Sequence, residues 1–106
     1  MSEDDVFRAL GDASRRTLLD RLHHRSGQTL GELCAGLQMS RQAVTKHLSL
    51  LEDANLIAVQ RRGREKLHFI NPVPINDIAE RWISKFQRGQ LRALSALKKA
   101  LEDDHE

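Results

Sequence analysis

The chain of 106 residues contains one cysteine, Cys34, and no tyrosine at all. A lone thiol cannot close an internal disulfide or build a multi-cysteine zinc site, which fits a reducing compartment. No apolar run approaches the roughly 20 residues that a membrane span requires. The opening segment MSEDDVFRALG is acidic where an export signal would be basic and then apolar. The expectation is a soluble protein of the cytoplasm with no membrane partner. No glycine-rich phosphate loop occurs, and Cys34 has no evident base partner in sequence, so the usual nucleophile arrangements lack support. No catalytic residue, metal site or cofactor is therefore expected.

What is present fits one ordinary globular domain: 40% hydrophobic and 30% charged residues, with a formal net charge of only +2. The distribution of charge says more than its sum. Glu3, Asp4 and Asp5 open the chain and Glu102, Asp103, Asp104 and Glu106 end it, whereas Arg41, Lys46, Arg61, Arg62, Arg64 and Lys66 gather in the middle. A folded domain of this kind has a basic face.

Hydrophobic spacing predicts the elements. A short helix carries Val6, Phe7 and Leu10, and Gly11 is expected to end it in a left-handed conformation. Asp12 starts a second helix with Leu18, Leu19 and Leu22 on one side, stopped by Ser26-Gly27. Thr29 followed by Glu32 is a capping-box signature ahead of Leu30, Leu33, Cys34 and Leu37. Ser40 caps a fourth helix, over about residues 40–54, whose Val44, Leu48 and Leu51 form a stripe opposite Gln42, Thr45, Lys46 and Ser49. Beyond Asn55 the period changes to two, with Ile57 and Val59 on one strand and Leu67 and Phe69 on the next. The RRGRE tip joins them in a hairpin over about residues 57–71. After Asn71-Pro72-Val73-Pro74, one long helix is expected over about residues 75–101, with Gly89 a point where it bends or divides.

Two short helices joined through Gln38-Met39, with a polar outer face on the second, are what a helix-turn-helix needs. In that motif the second helix enters the major groove and its first turns meet base edges. Arg41, Gln42, Thr45 and Lys46 are the candidates for base contact, with Ser40 and His47 beside them. Arg61, Arg62, Arg64 and Lys66 make the hairpin a cationic wing suited to phosphates. The expected class is mainly α with a two-stranded β wing, a winged helix-turn-helix of residues 1–106 in the order α-α-α-α-β-β-α, with double-stranded DNA as partner.

The runs ALGDASRRTLLDRL, TLGELCAGLQMSRQAVTKHLSLLEDANLI and RRGREKLHF resemble the arsenic-repressor (ArsR) family of winged-helix regulators over most of the chain. The resemblance implies a homodimeric repressor, released from a palindromic operator by a signal. It also exposes departures. ELCAGL lacks a second cysteine two residues after Cys34, and no histidine falls between Ile75 and Leu101 to join Asp77. His23, His24, His47, His68 and His105 are scattered and read as surface or hydrogen-bonding residues, and Cys34 as a small core residue. A metal- or thiol-responsive sensor built on Cys34 is one alternative, and a winged module that binds protein is another. The operator, the regulated genes and the inducer are not legible.

Ile78, Trp82, Phe86, Leu94, Leu97 and Leu101 continue an apolar face past the reach of a single winged core. With Val6, Phe7 and Leu10 they are expected at an interface between two copies of the chain.

Overall fold

The structure is a computed structural model that describes residues 3–86 and 88–103. Its elements are α1 (Glu3–Leu10), α2 (Ala13–His24), α3 (Leu30–Cys34), α4 (Arg41–Asp53), β1 (Ile57–Arg62), β2 (Glu65–Ile70), α5 (Val73–Lys85) and α6 (Arg88–Asp103). The architecture is mainly helical with a two-stranded antiparallel wing. The chain divides after Ile75 into two compact units.

The first unit holds the core. Leu18 and Leu22 of α2, Leu33 of α3, Val44 and Leu51 of α4, and Leu56 and Ile57 at the start of β1 are fully buried. Each contributes about 1.5–3 kcal/mol relative to an exposed side chain. This core fixes the angle between α3 and α4, and with it the surface that α4 turns outward.

The local starts follow the sequence. Asp12 caps α2 by accepting from the amides of Ser14 at 2.8 Å and Arg15 at 3.2 Å. Thr29 and Glu32 form the full capping box of α3, and the Ser40 hydroxyl accepts from the Ala43 amide at 3.1 Å. The end of α4 is a Schellman closure. Asn55 takes a left-handed φ of 61°, its amide donates to the Glu52 carbonyl, and the Leu56 amide donates to the Leu51 carbonyl, both at 2.9 Å.

Four expectations are corrected. Gly11 is not left-handed: the positive-φ glycines described are Gly27, Gly36 and Gly63. The open carbonyls at the end of α1 are taken instead by arginines of α2, Arg15 on Arg8 and Ala9 and Arg16 on Leu10. On β2 the buried side chain is His68 rather than Leu67 or Phe69, which are half-buried. A backbone bridge from Gln28 runs alongside β2 and covers that position. The final helix is two: α5 ends at Lys85, where the Phe86 amide closes on the Ile83 carbonyl at 3.1 Å, and Gly89 lies inside α6. A glycine costs a helix about 1 kcal/mol, which weakens the turn ahead of it, so the division falls before Gly89 rather than at it. Finally, Val6 is 5% exposed and packs in the core of its own unit, while its neighbour Phe7 is 47% exposed.

Candidate nucleic-acid interface

Antiparallel pairing of β1 with β2 runs from Ile57 opposite Ile70 to Arg62 opposite Glu65, leaving Gly63 and Arg64 as a two-residue turn. Gly63 has a φ of 64° and nothing within 4 Å of a side chain built there. Glycine at the first central position is what a type II′ hairpin turn asks for, and it sets Arg64 at the tip. The register places Arg61 directly opposite Lys66. Like charges facing each other across a ladder are destabilising by themselves, so this pair suits a polyanion rather than the isolated sheet.

Between α4 and the wing runs a groove of about 650 Å³. Arg41, Thr45, Ser49 and Glu52 line it from one helix face, and Arg61, Arg64, Glu65 and Lys66 line it from the hairpin. Thr29 and Gly31 also line it, from the start of α3. Four cations against Glu52 and Glu65 leave the groove net positive. The Thr45 hydroxyl donates to the Arg41 carbonyl at 2.8 Å, which orients its lone pairs outward for an incoming donor.

The structure brings Arg41, Thr45, Arg61, Arg64 and Lys66 of the sequence candidates into this one groove. Gln42, Lys46 and Arg62 are exposed beside it. Ser40 is exposed at the helix start but commits its oxygen to the cap. His47 is turned away from the others, half-buried, with its Nδ1 3.3 Å from Nη1 of Arg15. Glu52 and Thr29 were not among the candidates. Glu52 was legible in principle, since positions 41, 45, 48 and 52 share a helical face.

The carboxyl of Asp12 is held below its ordinary value first by the Arg15 amide that it accepts from, and Glu32 is held down first by the Thr29 amide and then by its bond to Arg25. Both act as helix-capping groups. Cys34 is a free, half-buried thiol. Among the described residues no group of three or more His, Cys, Asp or Glu side chains is placed to hold a metal ion, and no helix is long and apolar enough to cross a membrane.

A family profile described as a helix-turn-helix domain matches residues 10–60. The chain is 40% identical over 88 residues to the uncharacterized HTH-type transcriptional regulator YuzN of Bacillus subtilis, covering 77% of this chain and 96% of that protein. It is 28% identical over 83 residues to the transcriptional repressor SdpR of the same organism, covering 78% of this chain and 90% of the other. Among solved structures, an ArsR-like transcriptional regulator from Rhodococcus sp. RHA1 superposes with a TM-score of 0.71 at 32% identity, covering 94% of this chain and 90% of that one. A DNA-binding fold shared with regulators at this level makes the protein a regulator rather than an enzyme. The chain belongs to the ArsR family of helix-turn-helix transcriptional regulators.

Proposed function

We propose that the protein is a cytoplasmic repressor that binds a palindromic operator as a homodimer and leaves it on a signal. The observation that carries this reading is the basic groove, where one face of α4 and the wing present Arg41, Arg61, Arg64 and Lys66 together. In this reading the first turns of α4 lie in the major groove, with Arg41, Gln42, Thr45 and Lys46 at base edges or adjacent phosphates. The hairpin, including Arg62, follows the flanking backbone. Two copies place two such helices roughly 34 to 36 Å apart, one helical turn of DNA. All 106 residues then act as one winged domain, with Phe7, Leu10 and the apolar residues of α5 and α6 joining the copies.

The test is footprinting of the full chain on the DNA upstream of its own gene, with affinity followed against salt. A symmetric protected site whose affinity falls steeply with salt supports the reading, since phosphate neutralisation releases counterions. No protected site and a flat salt response would refute it.

A further inference from the structure

Arg15, in the first turn of α2, keeps its side chain only 12% exposed. Its guanidinium binds two helices other than its own. Nε donates to the Ala9 carbonyl at 2.8 Å and Nη2 to the Arg8 carbonyl at 3.0 Å, both at the end of α1. Nη1 lies 3.3 Å from Nδ1 of His47 on α4. Arginine has no acceptor, so Nδ1 must accept, which requires a neutral ring with its proton on Nε2. Protonating His47 removes that lone pair and sets a second cation against the guanidinium.

We propose that Arg15 is a positioning residue for DNA reading, which holds α4 at its working angle through neutral His47, so that acidification loosens the helix and weakens DNA binding. The inference rests on the reading of α4 as the DNA-reading helix. His47 directly follows Thr45 and Lys46, so a shift at this joint moves both. The end of α1, next to the expected dimer contact Leu10, is anchored by the same guanidinium. One side chain therefore ties the element proposed to join the copies to the element proposed to read DNA.

The charges around the joint come from each neighbouring element. From α2, the Asp12 carboxylate lies 4.0 Å from Nη1 of Arg15. It attracts an imidazolium while Arg15 repels one. From α1, Asp5 and Arg8 line a cavity of about 250 Å³ together with Arg15 and with Asp53 of α4. Whatever their balance, the Arg15 bond exists only to the neutral ring. A His47 that touched phosphate directly would act with the opposite sign, because protonation would add a cation to the interface.

The experiment uses the full chain and duplexes selected by it from a random-sequence pool, titrated at constant ionic strength between about pH 8 and pH 5.5. Wild-type affinity should fall about five- to tenfold towards acid, the scale of one ordinary hydrogen bond lost. His47→Gln keeps an acceptor and cannot titrate, so it should bind like wild type at the alkaline end and lose the acid fall. Arg15→Gln should bind weakly throughout. If it does not fold, Arg15→Lys, with charge but no fork, should show an intermediate loss. Wild-type affinity that stays level or rises towards acid, or an acid fall that persists in His47→Gln, overturns the proposal. If no duplex is selected, the DNA-reading premise fails and amide exchange decides the joint itself: faster exchange of α4 in acid, absent from His47→Gln, supports it, and equal exchange refutes it.

Discussion

Gln28 and His68 bond to each other three times. The His68 amide donates to the Gln28 carbonyl at 2.8 Å, the Gln28 amide donates to the His68 carbonyl at 3.2 Å, and Nδ1 of the His68 ring lies 2.9 Å from that same Gln28 carbonyl. The Gln28 side chain in turn donates to the carbonyls of Arg21 and Arg25, closing α2. The wing is thus hooked onto the segment that leads into the helix-turn-helix. His68 is 6% exposed. His68→Ala should destabilise the protein by about 1–3 kcal/mol, through the lost ring bond and the space left behind. Urea unfolding measures this, and amide exchange should show that β2 is the element most loosened.

The wing should supply affinity without sequence choice. Changing Arg61 and Arg64 to Ala removes two cations of the groove. Specific and non-specific DNA should both bind more weakly, and the slope of log affinity against log salt should flatten by about 0.9 for each phosphate no longer neutralised. Salt titrations on operator and random duplexes check this. A change confined to one sequence would mean that these arginines read bases.

How much of this was legible in the chain can be traced residue by residue. Caps were, because Asp12, Thr29 with Glu32, and Ser40 act on amides two or three residues away. So was the hairpin, because its turn chemistry is local. The closure of α1 was not. Glycine at position 11 is the local answer, while the answer found uses Arg15 and Arg16, whose reach depends on how α2 folds back. His68 was unreadable for the same reason, since its burial is set by Gln28, 40 residues away. The groove was half legible. Helical spacing gave Arg41 and Thr45, but which hairpin face opposes them follows from the register of Arg61 with Lys66.

Sequence choice should lie with the exposed first turns of α4. Gln42 can form two hydrogen bonds to one adenine. Gln42→Ala should leave non-specific affinity nearly unchanged and relax discrimination at one base pair by about 1–3 kcal/mol. Selection from a randomised half-site would show the preference flattened at one position. An unchanged selected sequence would remove Gln42 from the base contacts.

Acid should act on the caps. The carboxyls of Asp12 and Glu32 are held below their ordinary values of 3.8 and 4.5. A group depressed in the folded state contributes stability that is fully present above its unfolded value and lost as pH falls through the folded one. The contribution is therefore intact near neutrality and disappears below about pH 4. Asp12→Asn and Glu32→Gln should lower stability at neutral pH and flatten the acid limb of a plot of unfolding free energy against pH. Parallel limbs in wild type and variants would show that other carboxylates govern acid unfolding.

The apolar residues of the second unit carry the dimer prediction. On α6, Leu94, Leu97 and Leu101 are spaced to share one face, and they are 62%, 56% and 56% exposed. On α5, Trp82 is exposed too, with the Lys85 ammonium 4.6 Å from its ring centre, and Ile83 and Phe86 follow it to the surface. α5 contains no buried residue. Side chains of this size left in water are a liability, and a second copy offers the same surface in return. Dimerisation would also present a second recognition helix at high effective concentration, so an operator with two half-sites rewards it. A charge at the centre of the α6 face, as in Leu94→Glu or Leu97→Glu, should give folded monomers whose operator affinity drops by about two to four powers of ten, with half-site affinity little changed. Sedimentation and DNA titration on the same variant check both parts. A folded monomer that still bound the full operator at wild-type affinity would show that the two recognition helices act independently.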